Sequence, residues 1–314
     1  MMGMGSIWGA FLIVFFSFLS YDIPKGVERM KRIVTLQDLS CLGKCSLTVV
    51  LPVISAMGVE RAGLPRAGLS THTAFLIPAV TGLDEFAARA IDHWTDVDAS
   101  FDGILTGYLA TPAQAELAAV LIDRFAEPGT LVVCDPAMGD HGKRYSGIGP
   151  EMVEAHRKLC DRRADLILPN ATEAALLTGI SYRENPDEGW CREAARELCK
   201  LGRGGVLLTG LEPEPGKIGF FWTDGREDFA WSGEKQPQSC HGTGDLFAAV
   251  VMGAMMGEKS AREAGVLAAE FVARCIDATE GDSRRGVAFE RQLGWLIHQI
   301  NNIIPPVGVL LSCR

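Results

Sequence analysis

Alternating strand and helix patterns predict an α/β protein built around a mostly parallel sheet. Three observations carry this. Short apolar or β-branched runs recur at residues 32–36, 103–106, 131–134, 166–168 and 205–209, and longer amphipathic segments separate them, as crossover helices between parallel strands require. Turn-forming Gly, Pro, Asn and Asp gather where each run ends. The 314 residues are 47% hydrophobic and 22% charged, ample material for one large core.

Taken in order, residues 32–36 form the first strand. Residues 46–57 read as a helix ended by Gly58, and 61–68 as a short strand. A helix is expected over 84–94, then a strand over 103–106 that enters Gly107-Tyr108. Residues 112–125 form a helix with Pro112 in its first turn, where a missing N–H costs nothing. The strand 131–134 ends at Asp135-Pro136. Residues 150–163 are helical, and the strand 166–168 ends at Pro169-Asn170. A short helix over 172–178 closes at Gly179. Residues 190–201 are helical and 205–209 a strand. Residues 217–222 and 228–231 pair as a hairpin around Asp224-Gly225. One helix follows Asp245 toward Met256, and another covers 260–279. No repeat or linker breaks the chain, so one domain over 30–291 is expected. Residues 292–304 read as an amphipathic helix stopped by Pro305-Pro306, inside a C-terminal tail over 292–314.

Residues 7–19 are apolar but shorter than the roughly 20 residues of a membrane span. No basic residue precedes them, as a signal peptide would need, while Lys25, Arg29, Lys31 and Arg32 follow. Insertion would keep the following domain cytoplasmic. The favoured account is a start assigned too early, with Met30-Lys31-Arg32 as the natural beginning and 1–29 as an extension. The net charge of −9 comes with no basic block, so nucleic acid is not an expected partner. Nine cysteines form no CxxC pair, which points to a reduced, cytoplasmic setting.

Ligands of open parallel sheets bind at the carboxyl ends of the strands, and polar groups collect there. Asp135 and Asp140 follow one strand, as a turn or as hard oxygen ligands for Mg²⁺. Tyr145, in the next loop, is an exposed tyrosine or a nucleotide neighbour. Asn170 or Thr172 can cap the following helix while Glu173 suits its first turn, or Glu173 holds a metal-bound water. Thr209 ends the next strand, where its hydroxyl could meet a phosphate or a monovalent ion. Tyr108 offers a ring face. His72 or Thr73 could bond a small polar substrate, or His72 is a satisfied structural histidine, and Asp38 and Ser40 lie past the first strand. Gly242-Thr243-Gly244-Asp245 opens a helix. Its unpaired N–H groups suit an anion, and an aspartate there reads as a base beside that anion or as a cap. No GxGxxG or GxxxxGK[ST] follows the first strand, which disfavours a dinucleotide or P-loop enzyme.

The order of these signals is more specific than any one of them. LTGY at 105–108, CDPAMGD at 134–140, PNATEAALLTG at 169–179 and GTGDLFAA at 242–249 resemble the ribokinase superfamily, and within it the pyridoxal kinases. STHT at 70–73 and IVTLQD at 33–38 resemble their vitamin-binding half. The resemblance implies a three-layer α/β/α sandwich and ATP-dependent phosphorylation of the 5′-hydroxymethyl group of a B6 vitamer, with Mg²⁺ and usually a homodimer. It implies Asp245 as the base and the backbone of Gly242, Thr243 and Gly244 as the anion hole. Asp135 and Asp140 become the acidic pair near metal and phosphates. Asn170 and Glu173 become Mg²⁺-water and phosphate contacts, and Thr209 a nucleotide or monovalent-ion contact. Thr73 and Tyr108, with His72 beside them, become pyridine-ring contacts.

Two positions depart from the family pattern. Asp38 stands where many members place a serine against the pyridine ring. An aspartate there would prefer a protonated ring nitrogen or an amino group, and Ser40 could substitute after a small shift. Leu168 stands where a threonine often assists the monovalent ion, so dependence on K⁺ is open. The competing functions are a hydroxymethylpyrimidine kinase of the same superfamily and a non-catalytic pyridoxal-phosphate-binding relative.

Overall fold

The computed structural model of the chain describes residues 29–301. The apolar run at 7–19 and the Pro305-Pro306 stop lie outside them. Nine strands of the described residues form one sheet: β1 (Arg32–Leu42), β2 (Glu60–Thr71), β3 (Val80–Gly82), β4 (Gly103–Thr106), β5 (Leu131–Cys134), β8 (Leu166–Ile167), β9 (Gly205–Leu211), β10 (Lys217–Thr223) and β11 (Asp228–Glu234). Their order is β11-β10-β9-β8-β5-β4-β1-β2-β3. The six strands from β9 to β2 are parallel, and β3, β10 and β11 add antiparallel edges. The tiny hairpin β6 (Gly139–Asp140) and β7 (Lys143–Arg144) stands apart.

Both faces of the sheet are covered, which is why the central strands read as nearly continuous apolar runs. Successive residues point to opposite sides. Val34, Ile104 and Val132 join one buried cluster with helices α2 (Asp84–Asp96), α3 (Pro112–Phe125), α4 (Pro150–Cys160), α5 (Ala171–Thr178) and α6 (Glu188–Leu201). Ile33, Leu105 and Val133 join the other with α1 (Leu47–Ala56), α7 (Thr243–Met256), α8 (Ala261–Asp277) and α9 (Leu293–Asn301). The result is the expected three-layer α/β/α sandwich.

The strands 103–106 and 131–134 and the helix 112–125 match the expected bounds. β1 and β2 run longer, to Leu42 and Thr71, because they continue to pair with each other past a register shift between Gln37 and Leu39. Ser70 and Thr71 are therefore strand residues rather than loop. β3 and the β6–β7 hairpin were not expected, being too short to leave a sequence pattern. Leu296 of α9 is fully buried and Trp295 stacks on Phe271, so residues 293–301 pack on the sandwich. No helix of the described residues is long and apolar enough to cross a membrane.

Candidate active site

Helix α7 begins at the carboxyl edge of the sheet. Gly242 caps it with φ of 80°, a left-handed conformation natural to glycine, and a Cβ there would come within 2.4 Å of the Lys44 carbonyl oxygen. Leu246 N–H closes the first helical bond onto the Gly242 carbonyl. The N–H groups of Gly242, Thr243, Gly244 and Asp245 carry no hydrogen bond among the described residues. Four free donors at the positive end of a helix form a site for an anion. The Thr243 hydroxyl donates back to the Cys240 carbonyl, so this side chain braces the turn.

Asp245 stands beside these donors. Its Oδ2 accepts from the Ser46 N–H at 2.9 Å and from the Cys45 thiol at 3.2 Å. Burial pushes its carboxyl up to about 6, these two donors pull it down, and the Asp38 charge adds to the rise. Asp38 is 5% exposed. Its Oδ1 accepts from Ser46 Oγ at 2.7 Å and faces Arg66 Nη2 at 3.5 Å, and its Oδ2 accepts from Ser40 Oγ at 3.1 Å. Arg66 is equally buried. It donates to the Tyr108 carbonyl and to Gln114, and its guanidinium lies 4.8 Å from the Tyr108 ring centre. Asp38 and Ser40 thus engage each other and the protein, and one face of Tyr108 is covered by Arg66. Ser46 holds φ of 52°, unusual for a residue with a Cβ and a strain of about 1–3 kcal/mol.

The acidic side is built on β5 and α5. Asn170 caps α5 through a capping box: its Oδ1 accepts from Glu173 N–H and Glu173 Oε2 accepts from Asn170 N–H. Glu173 Oε1 accepts from Met138 N–H, and Asn170 Nδ2 donates to the Gly139 carbonyl, tying the helix start to the β6–β7 hairpin. Burial and then the neighbouring Asp135 hold Glu173 well above the usual carboxylate range. Burial and then Asp245 push Asp135 up to about 8. Tyr145 is 44% exposed, and burial of its hydroxyl with Glu173, Asp140, Asp135 and Asp245 nearby keeps it protonated. Asp140 is exposed on the hairpin and accepts from the His141 N–H. Thr209 bridges to Asn170 along the sheet edge, its hydroxyl aimed at the Pro169 carbonyl.

Mutually repelling carboxylates with hard oxygen atoms suit a divalent cation such as Mg²⁺. No three His, Cys, Asp or Glu among the described residues converge closely enough to ligate one ion directly. Leu168, 4% exposed, offers a monovalent ion no side-chain oxygen.

His72 is 4% exposed. Its Nδ1 accepts from Ala74 N–H, which leaves Nε2 to donate to the Arg284 carbonyl at 2.6 Å, and its ring lies 5.2 Å from that of His241. Thr73 is exposed and makes no side-chain hydrogen bond among the described residues. The structure therefore gathers Asp245, the 242–244 backbone, Asp135 and Glu173 at one center. Tyr145 and Asp140 lie near these carboxylates, Thr209 joins through its bridge to Asn170, and His72 packs against His241; no contact among the described residues ties Thr73 to them. Sequence reasoning missed Cys45, Ser46 and Arg66. An arginine in mid-strand, set between Pro65 and Ala67, was the one available signal for Arg66; Ser46 left none.

The doubly covered, mostly parallel sheet is that of the ribokinase-like small-molecule kinases, as similar structures show. The chain belongs to the phosphomethylpyrimidine kinase family, whose model matches residues 79–287. A pyridoxal kinase of Arabidopsis thaliana is 31% identical over 259 residues, 75% of this chain and 76% of the relative. The crystal structure of pyridoxal kinase from Lactobacillus plantarum superposes with a TM-score of 0.81 at 30% identity, covering 87% of this chain and 99% of that one. A Bacteroides thetaiotaomicron protein assigned to the phosphomethylpyrimidine kinases, crystallised with pyridoxal, gives a TM-score of 0.80 at 31% identity, over 87% and 96% of the two chains.

Proposed function

We propose that the chain transfers the γ-phosphoryl group of ATP to the 5′-hydroxymethyl group of a B6 vitamer: pyridoxal, pyridoxine or pyridoxamine. The observation that carries this is Asp245 at the mouth of an unpaired helix N-terminus, with one carboxylate oxygen held and the other free. In the proposed reaction Asp245 takes the hydroxyl proton, the vitamer oxygen forms a bond to the γ-phosphorus, and the bond from that phosphorus to the bridging oxygen breaks to release ADP. A positioned base of this kind contributes about 10²–10⁴-fold. The N–H groups of 242–244 offset charge on the phosphoryl oxygens during transfer.

Asp135 and Glu173, with Asp140 at the phosphate side, are the residues we assign to holding Mg²⁺ through water. When bound, Mg²⁺ neutralises phosphate charge. Asn170, Thr209 and Tyr145 are assigned to the nucleotide. Thr73, Tyr108 and His72 are assigned to the pyridine ring, with Asp38 and Ser40 as the support beneath it. Leu168 supplies no side-chain oxygen to a monovalent ion, and rates compared in KCl and NaCl test whether K⁺ is needed. We also propose a cytoplasmic homodimer, which size-exclusion chromatography with light scattering tests.

A second reading, a hydroxymethylpyrimidine kinase, is favoured by the family match over 79–287. A panel assay with ATP, Mg²⁺, the three vitamers and hydroxymethylpyrimidine separates the two. Turnover of a vitamer well above that of the pyrimidine is expected, and the reverse order would overturn the vitamer assignment. Asp245→Asn should lower kcat by about 10²–10⁴-fold with ADP affinity retained. Near-native kcat in that variant removes Asp245 as the base.

A further inference from the structure

The turn before helix α1 is what holds one oxygen of the Asp245 carboxylate. Cys45 and Ser46 lie about 200 positions from Asp245 in the chain, yet both donate to the same carboxylate oxygen, Oδ2. No hydrogen bond among the described residues reaches Oδ1. The turn is itself held from three sides. Ser46 Oγ donates to the buried Asp38, which in turn faces the buried Arg66. The Lys44 carbonyl presses on Gly242, and the Lys44 N–H donates to the Arg285 carbonyl. The left-handed backbone of Ser46 persists only because these neighbours fix it.

We propose that Cys45 and Ser46 are positioning residues that clamp Oδ2 of Asp245 and so leave Oδ1 as the atom that takes the substrate proton. The proposal rests on the kinase reading above. A carboxylate without the clamp rotates about its Cα–Cβ and Cβ–Cγ bonds and meets the hydroxyl in fewer of its orientations, which lowers the rate without touching nucleotide affinity. The thiol serves as a donor because it stays protonated. Burial, then the charges of Asp245 and Asp38, hold it well above the ordinary thiol range. The Asp38–Arg66 pair acts one step further out, through Ser46 Oγ. A buried arginine pointed at a buried aspartate fixes that oxygen more firmly than a lone hydroxyl contact does.

The test compares Cys45→Ala, Cys45→Ser and Ser46→Ala with the wild type and Asp245→Asn. Steady-state kinetics use ATP, Mg²⁺ and pyridoxal, with ADP binding by calorimetry as the check on folding. Cys45→Ala removes one hydrogen bond to the Asp245 carboxylate and predicts kcat about tenfold lower, with KM for ATP and ADP affinity unchanged. Ser46→Ala keeps the N–H that Oδ2 accepts and removes only the Oγ bond to Asp38 that steadies this N–H, so a smaller loss of kcat is expected, again with nucleotide affinity unchanged. Cys45→Ser keeps a donor at the same place and should recover most of kcat. Full kcat in Cys45→Ala, or a Cys45→Ser variant as slow as Cys45→Ala, overturns the clamp, and full kcat in Ser46→Ala overturns the part given to Asp38 and Arg66. A wild-type chain inert toward every vitamer overturns the kinase reading, and the clamp with it. An active wild type with an inactive Asp245→Asn and unimpaired alanine variants overturns the clamp alone.

Discussion

Asp245 is a carboxylate made to titrate near neutrality by its surroundings. Burial removes water from around its charge, and Asp38 adds like-charge repulsion, while the Ser46 N–H and the Cys45 thiol favour the ionised form. The balance lies at about 6. A base must be ionised to act, and the ionised fraction grows as pH rises through that value. The kcat/KM for pyridoxal, measured at saturating ATP and Mg²⁺, should therefore fall with unit slope below about pH 6 and level off above it. A limb near the ordinary aspartate value of about 4 would show that water reaches the carboxyl freely in the working enzyme. Asp38 shows how a residue can be held by more than its position suggests. The resemblance points it at a pyridine ring, whereas its oxygens are taken up by Ser40, Ser46 and Arg66. Only the fold reveals this, because Arg66 reaches Asp38 across two paired strands.

At the scale of elements, α5 joins stability to chemistry. Its capping box is legible in the sequence Asn170-Ala171-Thr172-Glu173, and a cap so placed was expected. The sequence does not show that the same two side chains also secure the β6–β7 hairpin, through Met138 N–H and the Gly139 carbonyl. That hairpin has two-residue strands and no alternating pattern to betray it. Removing the cap with Asn170→Ala should lower stability by about 1 kcal/mol and also loosen Asp140 and Tyr145. Asn170→Ser restores an acceptor for the Glu173 N–H but no donor for Gly139. It should recover the denaturation midpoint while leaving KM for ATP raised. Equal recovery of both would show that the amide's second bond has no part in nucleotide binding. The longer elements were legible for the opposite reason. Strands such as 131–134 are short apolar runs ended by Asp-Pro, and helices such as 112–125 begin at Thr-Pro, so local chemistry and global fold agree there.

Over the whole molecule, the sheet separates two apolar layers, and the candidate site lies where both meet its carboxyl edge. α7 supplies the anion site, while α1, on the same face, carries the clamp at its N-terminus. α9 packs in this layer, with Leu296 fully buried, Trp295 stacked on Phe271 and the Arg274 guanidinium over the Trp295 ring. A boundary at 292, expected from composition alone, would cut away that packing. Sequence offers no remedy, since an amphipathic segment near a chain end looks alike whether it docks or not. We propose that residues 293–301 belong to the folding unit. Leu296→Ala then removes a fully enclosed side chain and should cost about 2–5 kcal/mol. In a cooperative domain this loss appears as a lower denaturant midpoint with an unchanged slope, because the surface exposed on unfolding stays the same. Below that midpoint kcat for pyridoxal should stay near the wild-type value, since Leu296 makes no contact with the carboxylates. A midpoint equal to that of the wild type would place α9 outside the cooperative unit.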